Sequence, residues 1–253
     1  SVRPGVDLGG RRIIKKKNVG PYIISALTLI FATVVIQLFL RPDPYLVAEK
    51  QANVKQQKGS TKAALSHIRS NPKALFAISA IAIGHVAMVS VMVMTPIHMK
   101  HVDVSLQIIG FVISVHVLGM YAFSPIVGSL SDRLGRVRVI QIGITILLLS
   151  TLVSGTAAAD DAVKLGIGLF LLGLGWSCTL IAGSAYLSES VSVEMRPASQ
   201  GASDLVMNLA GAGGGAIAGV IIGTLSYGWL CLFAALPVIA LALAARRIMK
   251  IEN

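Results

Sequence analysis

The 253-residue sequence predicts an all-α polytopic membrane protein with about seven transmembrane helices. Hydrophobic residues make up 55% of the chain and charged residues only 13%, and the mean hydropathy is +0.78. No soluble domain requires so much apolar surface, so the bilayer is the expected solvent. The apolar residues also fall into segments of about 20, the length that crosses the hydrocarbon core as a helix. The basic residues collect in the gaps between these segments.

Seven apolar segments are expected to be helices, because a chain in lipid must satisfy its own backbone hydrogen bonds. They cover roughly residues 19–40, 73–95, 105–127, 138–157, 162–187, 201–224 and 227–247. The longest polar segment, 41–72, opens with two prolines in Arg41-Pro42-Asp43-Pro44, which end the first helix. We expect this segment to be a linker on the membrane surface with one amphipathic helix near 60–70.

The positions of Lys and Arg predict the orientation of the chain. Beyond residue 18, only Lys100 and Lys164 fall on the side opposite to the remaining basic residues. Because basic residues concentrate in cytoplasmic loops, the more basic side is assigned to the cytoplasm, with the segments 41–72, 128–137, 188–200 and 248–253. The chain then begins with an extracytoplasmic segment, and the basic residues 11–17 on that side do not fit the rule.

Several classes of function are not predicted. The net charge is +11, but the basic residues do not share a soluble face with aromatic partners, so nucleic acid is not an expected ligand. Cys178 and Cys231 lie inside apolar segments and are interpreted as small core residues. The sequence has no phosphate-binding loop and no zinc-binding His-Glu-x-x-His helix. Ser177 and Ser184 lack a base and an orienting acid nearby. We therefore expect no enzyme activity, no metal ion and no cofactor.

One polar run between two apolar segments is the most informative motif. Residues 128–138 read Gly-Ser-Leu-Ser-Asp-Arg-Leu-Gly-Arg-Val-Arg. Gly128 and Gly135 allow a close backbone approach or a positive φ. Asp132 can pair with a neighbouring arginine or accept hydrogen bonds at a helix start. The remaining charges are those expected of a cytoplasmic loop, and they come from Arg133, Arg136 and Arg138.

This pattern, G-x-L-x-D-R-x-G-R-x-R, resembles the signature loop of the major facilitator superfamily. In that family two six-helix halves are joined by a long cytoplasmic linker, and the loop follows the second helix of each half. Here the loop follows the second helix after 41–72. The resemblance therefore implies helices six to twelve: residues 1–40 end the N-terminal half, 41–72 form the linker, and 73–253 form the C-terminal six-helix bundle. The N-terminal half of the same polypeptide is the implied partner.

A second stretch, from Ser188-Glu189-Ser190 to Asp204, resembles the segment between helices ten and eleven of bacterial, drug-efflux-like members. Ser203 or Asp204 is expected in the first turn of the next helix. The resemblance implies a secondary active transporter of a small organic solute, working by alternating access around a site at the membrane midplane. Its expected activity is proton-coupled efflux of drug-like compounds, as an antiporter of the inner membrane. The alternatives are uptake of a nutrient or metabolite, and a scaffold or sensor that transports nothing.

The resemblance also assigns a gating role to the signature loop. It implies that Asp132 faces the start of helix five, which precedes this chain. A local pair with Arg133 or Arg136 is the alternative.

The candidate cavity residues lie on two helices, the first of which lines the central cavity in the family. His85, Met88, Met92 and Thr95 follow helical spacing and share one face. Trp176, Thr179, Gly183 and Tyr186 share another, and an aromatic ring with hydroxyls suits an organic solute. The substrate-cavity candidates are His85, Met88, Met92, Trp176, Thr179 and Tyr186. The alternative is that both faces serve packing. His85 and His116 could also carry a proton, or could be neutral core residues.

A row of small residues marks the sixth apolar segment. Gly211, Gly215 and Gly219 recur every four residues, a pattern that lets helix backbones touch in lipid. We expect these glycines to serve helix packing. Asn208 in the same segment is a candidate for a hydrogen bond across an interface.

Overall fold

The computed structural model describes residues 8–42, 47 and 61–252, and all its elements are helices. The helices are α1 (Leu8–Phe39), α2 (Thr61–Ser70), α3 (Pro72–Lys100), α4 (Leu106–Tyr121), α5 (Ser124–Leu134), α6 (Arg136–Gly155), α7 (Ala162–Glu189), α8 (Arg196–Thr224) and α9 (Tyr227–Glu252). A short 3₁₀ turn, Val193–Met195, precedes α8. Among the described residues, 7 helical segments are long and apolar enough to cross a membrane, with α4 and α5 counted together. The predicted fold class is confirmed.

The chain divides into two compact units between Gln57 and Lys58, inside the predicted linker 41–72. The first unit holds α1, whose apolar window runs from Tyr22 to Phe39. This helix begins well before the predicted start at 19. Residues 43–46 and 48–60 of the linker, and the side chains of the basic residues 11–17, lie outside the described residues. At the far end of the linker, α2 occupies the place of the predicted amphipathic helix.

The second unit arranges its long helices in two layers. A front row consists of α4, α7, α3 and α8, in which α7 contacts α4 and α3, and α3 contacts α8. Behind it, α6 packs on α7, and α9 packs on both α6 and α3. Among the described residues of the second unit, no other long helix packs on this front row.

Glycines bring α7 into backbone contact with the helices on both sides. A Cβ atom at Gly173 would lie 2.5 Å from the carbonyl oxygen of His116 and 2.8 Å from the backbone nitrogen of Met120, both on α4. Toward the back layer, a Cβ atom at Gly143 of α6 would lie 2.9 Å from the carbonyl oxygen of Gly175. Since lipid offers no hydrophobic driving force between helices, such close packing is what holds them together.

Buried hydrogen bonds support these contacts. Ser150 on α6 donates to the carbonyl of Gly168 at 2.8 Å, and the hydroxyls of Thr95 and Tyr227 lie 2.7 Å apart between α3 and α9. His116 is completely buried, and its Nδ1 lies 2.8 Å from the carbonyl oxygen of Leu169 on α7. The structure therefore places His116 in helix packing. Cys178 and Cys231 are buried as free thiols.

The predicted start of α8 is wrong. The helix begins at Arg196 and carries Pro197 in its first turn, so Ser203 and Asp204 lie farther along the helix. Proline favours the first turn because its missing N–H would have no helical partner there. Asn208 donates to the carbonyl of Asp204 in its own helix at 2.7 Å, and a hydrogen bond from its side chain across an interface stays a prediction.

Candidate substrate site and gating cluster

Two of the predicted cavity residues meet at the centre of the front row. The indole Nε1 of Trp176 on α7 donates a hydrogen bond of 3.1 Å to Nδ1 of His85 on α3. Their ring centroids are 6.1 Å apart, with the planes tilted by 43°. On the other side of His85, a Cβ atom at Gly211 of α8 would lie 2.5 Å from the Cδ2 atom of the imidazole. His85 therefore joins α7 to α8 across α3.

The depth of this group is its second notable property. His85, Trp176 and Gly211 each lie within one residue of the middle of their helices. Because each helix spans the length of a bilayer crossing, the three residues lie near one plane halfway through the bundle. A site at this depth is what an alternating-access transporter requires.

Tyr121 extends this aromatic group and is not among the residues predicted from the sequence. Its ring stands edge-on to Trp176, with centroids 6.1 Å apart and an interplanar angle of 82°. The Tyr121 side chain is exposed, whereas Trp176 is only 6% exposed. Tyr121 and Trp176 lie on different helices, so no spacing within one helix could have indicated this contact. We name His85, Trp176, Tyr121 and Gly211 the central cluster.

The other cavity candidates are divided between packing and exposure. Thr95 and Met88 are buried, and Thr95 bonds to Tyr227 behind the front row. Met92 is partly exposed. Thr179 is completely buried, and a Cβ atom at Gly84 would lie 3.2 Å from its Cβ atom. Helical spacing alone did not distinguish cavity-facing residues from packed ones. Each helix of the front row is covered by its neighbours in the row as well as by the helices behind it.

Tyr186 lies closer to the end of α7 than the central cluster. It is 6% exposed, and its ring stands edge-on to Phe76 of α3, with centroids 6.3 Å apart. The structure brings it together with an aromatic partner that the sequence analysis did not name.

A charged cluster occupies one end of the bundle, the end that carries the Gly128–Arg138 motif. We call this end the motif end. Arg136 at the start of α6 contacts Asp132 of α5 and Glu189 at the end of α7. Its Nε and Nη2 atoms both lie 2.9 Å from Oε1 of Glu189. The structure has the alternative arrangement, a local pair of Asp132 with Arg136. Arg133 and Arg138 are exposed. Glu189 was quoted in the sequence analysis without this role.

Most of the predicted loop 128–137 is helical, which corrects the sequence prediction. Helix α5 begins at Ser124 with Pro125 in its first turn and runs to Leu134. Gly128 therefore lies inside a helix, with nothing within 4 Å of a Cβ atom placed there, so it makes no close approach. Gly135 alone separates α5 from α6, with φ of 95° and ψ of 151°. The positive φ predicted for one of these glycines occurs at Gly135.

These two glycines should respond to alanine in opposite directions. We expect Gly135→Ala to lower the free energy of unfolding by about 1–3 kcal/mol, because residues with a Cβ atom rarely adopt this backbone conformation. We expect Gly128→Ala to raise it by up to about 1 kcal/mol, because alanine favours a helix interior. Thermal unfolding of both variants in one detergent measures the difference. Equal stabilities would contradict the assigned backbone geometry.

Polar side chains hold three helix termini together at the motif end. The Gln200 amide of α8 donates to the carbonyl of Ser184 and to the hydroxyl of Ser188 on α7, both at 2.9 Å. Asn71, the N-cap of α3, donates to the carbonyl of Ser190 at 2.7 Å. The end of α7, which carries Glu189, is thus tied to the starts of α3 and α8. Within the described residues, no three His, Cys, Asp or Glu side chains form a group that could hold a metal ion.

The seven described segments that are long and apolar enough to cross a membrane are those of an integral, multi-pass membrane protein. The family model of the Major Facilitator Superfamily matches residues 86–252. The chain therefore belongs to the Major Facilitator Superfamily, whose members are transporters and not enzymes.

Individual relatives agree with this assignment. The chain is 35% identical over 210 residues to the MFS-type transporter YdeG of Bacillus subtilis, covering 82% of this chain and 49% of YdeG. It is 35% identical over 211 residues to YddS of the same organism, covering 82% of this chain and 48% of YddS. The riboflavin transporter RfnT of Brucella anthropi is 27% identical over 143 residues, which cover 56% of this chain and 35% of RfnT. The chain spans about half the length of YdeG and YddS.

Proposed function

We propose that the whole protein is a secondary active transporter that exports small, drug-like organic solutes in exchange for protons. In this proposal the chain supplies helices six to twelve, and the N-terminal half of the same polypeptide completes the cavity. The coverage of about half of YdeG and YddS supports that division. The protein would lie in the inner membrane with its C-terminus in the cytoplasm, as the distribution of basic residues indicates.

The central cluster is the observation that carries the proposal. It offers two aromatic rings and one imidazole on α4, α7 and α3, with Gly211 of α8 packed against the imidazole near mid-depth. Aromatic surface with few polar groups favours adaptable binding of organic molecules. A scaffold without transport would have no need for these side chains to converge inside the bundle. Substrate would bind there and be exposed to each side in turn as the two halves rock.

The charged cluster is proposed as part of the gate. Arg136 links α5, α6 and α7 at the motif end through Asp132 and Glu189. An ion pair between helix ends stabilises one arrangement of those ends, so its loss shifts the balance between inward-open and outward-open states. In this proposal Asp132 serves the link to Arg136, while Gly135 provides the sharp turn between the two helices.

Uptake of a metabolite is the second candidate, and one comparison favours it. RfnT, which shares 27% identity with this chain, is named a riboflavin transporter. Riboflavin is a planar aromatic molecule, a shape that matches the rings of the central cluster. The two candidates differ in direction, so they can be separated by experiment.

Inverted membrane vesicles containing the full-length protein test the function and its direction. The probes are norfloxacin and ethidium for efflux, and riboflavin for uptake in intact cells. Accumulation of either drug in vesicles, driven by a proton gradient and abolished by an uncoupler, supports proton-coupled efflux. Riboflavin uptake that depends on the protein supports the second candidate and overturns the first. No movement of any probe contradicts both.

His85→Ala should reduce transport by about tenfold in this assay. The change removes the acceptor of the Trp176 hydrogen bond and one side of the cluster, and a loss of about 1.4 kcal/mol corresponds to that factor. His101→Ala is the matched control, because His101 is exposed beyond the end of α3. Unchanged transport by the His85 variant would remove His85 from the site.

A further inference from the structure

The hydrogen bond between Trp176 and His85 fixes the chemical state of the histidine. An indole Nε1–H is a donor and has no acceptor capacity. Nδ1 of His85, 3.1 Å away, must therefore accept and carries no proton in this arrangement. In a neutral imidazole the proton then resides on Nε2. His85 is held as the Nε2–H tautomer, with its one N–H directed away from Trp176.

Gly211 fixes the orientation of the same ring. A Cβ atom at this position would lie 2.5 Å from Cδ2 and 2.8 Å from Nε2 of His85. Any larger residue would push the Nε2 edge of the ring out of its place between α3 and α8. By contrast, a Cβ atom at Gly215, one turn along the same helix, would have its nearest neighbour at an ordinary 3.5 Å.

The surroundings of His85 carry no formal charge near its depth. The charged residues of α8 are Arg196 and Asp204, those of α7 are Lys164 and Glu189, and those of α3 are Lys73 and Lys100. Asp204 shares a face of α8 with Gly211 and lies two turns away, about 10 Å along the axis. The titratable groups of α4 are His116, buried against Leu169, and Tyr121, which faces Trp176.

We propose that Trp176 and Gly211 are positioning residues that hold His85 as a neutral Nε2–H donor, so that the central cluster selects planar aromatic solutes carrying a hydrogen-bond acceptor such as a carbonyl. This inference rests on the proposed function. The exposed aromatic ring of Tyr121, which stands edge-on to the buried Trp176, supplies the contact for a flat molecule. The Nε2–H of His85 supplies one directional bond, which a solute without an acceptor cannot accept.

The same arrangement excludes His85 as the carrier of a coupling proton. A second proton on Nδ1 would place an N–H against the N–H of Trp176 and would remove their hydrogen bond. The N–H groups of His85 and Trp176 would then face each other without acceptors. Leaving donors without hydrogen bonds costs more free energy at this depth than in water. A coupling proton is then carried elsewhere in the whole protein.

Nitrogen-15 NMR of histidine-labelled full-length protein in lipid tests the tautomer without any substrate. The His85 signals are assigned by their absence in a His85→Asn variant. We expect an unprotonated Nδ1 and a protonated Nε2 from pH 8 to pH 5. In Trp176→Phe, which keeps an aromatic ring but lacks the N–H, both tautomers and the doubly protonated ring should appear as the pH falls. A protonated Nδ1 in the unmodified protein at pH 7 would overturn the proposal.

Exchange of probe at equal pH on both sides of the vesicle tests the consequence for transport. We expect Trp176→Phe to lose norfloxacin exchange as the pH falls from 7.5 to 5.5, because without the indole N–H no donor holds Nδ1 of His85 unprotonated. The double variant Trp176→Phe with His85→Asn should lose that pH dependence. If Trp176 had only a structural role, the double variant would keep the pH dependence of Trp176→Phe. Trp229→Phe, at an exposed position on α9, is the control.

Two further comparisons separate selectivity from general loss of function. Gly211→Ala should raise the KM for norfloxacin, which carries a carbonyl, more than the KM for ethidium, which carries none. Gly215→Ala should change neither. Equal effects on both probes would overturn the selectivity, while intact NMR signatures with no transport of any probe would overturn only the proposed function.

Discussion

Replacing Gly173 by alanine should destabilise the bundle more than any other single methyl addition we consider. The added Cβ atom would meet the carbonyl oxygen of His116 at 2.5 Å and the amide nitrogen of Met120 at 2.8 Å. These neighbours are backbone atoms, so α4 and α7 must move apart for the methyl group to fit. Forcing extra volume into a packed interface costs about 1–3 kcal/mol and occasionally more. Thermal unfolding of the full-length protein in detergent measures the loss.

Two glycines of the same helices provide matched controls for this variant. A Cβ atom at Gly166 of α7 or at Gly110 of α4 has nothing within 4 Å. Alanine at either position should leave the protein as stable or raise its free energy of unfolding by up to about 1 kcal/mol, because it favours the helix. If Gly173→Ala unfolds at the same temperature as these controls, α4 and α7 do not cross at backbone distance.

Loss of Arg136 should abolish most transport while leaving stability nearly unchanged. Its partners Asp132 and Glu189 have side chains that are 70% and 51% exposed, and ion pairs so accessible to water contribute at most about 1 kcal/mol to stability. In the proposed gate, the two ion pairs together would act on transport through the balance between two open states, where about 1.4 kcal/mol changes a population ratio tenfold. We therefore expect Arg136→Ala to reduce transport about tenfold and the unfolding temperature only slightly.

The neighbouring arginines and a charge exchange make this prediction specific. Arg133→Ala and Arg138→Ala remove the same charge from exposed positions of the motif and should retain transport. Exchanging the partners, with Arg136→Glu and Glu189→Arg together, should recover part of the activity lost in either single variant. Two results would contradict a role for the link between α6 and α7. The first is that the double variant is as inactive as Arg136→Ala. The second is that Arg133→Ala and Arg138→Ala are equally inactive, which would show that only net charge matters.

Much of the fold was predictable because lipid leaves a chain few options. Seven apolar segments of spanning length required helices, and the structure has helices at all seven. The helix starts were less predictable. The 128–137 segment looked like a loop because it is polar, but it begins inside a helix started by Pro125 and ends at the single residue Gly135. Polarity reports exposure to water and does not report backbone conformation.

The site was predictable one helix at a time. Helical spacing found His85 on α3 and Trp176 on α7 separately, but only packing shows that their side chains join. The same limit explains Glu189, which is distant from Arg136 in sequence and adjacent to it in space. It also explains Thr179 and Thr95, whose hydroxyls resemble substrate ligands in sequence yet are buried in helix contacts. Spacing within one helix contains no information about which neighbour covers each flank.

The backbone contacts of α7 with α4 and α6 also have a mechanical meaning. Where main chains touch, there are few side-chain rotamers that could rearrange, so the three helices resist sliding past one another. We therefore expect the three helices to move as one rigid body that spans the membrane. Helix α7 has 28 residues, and at 1.5 Å per residue it is a rod about 42 Å long. Tilting such a rod by about 10° about one end moves the other end by about 7 Å. A small displacement at Arg136 would therefore be transmitted, as by a lever, to the opposite face of the membrane.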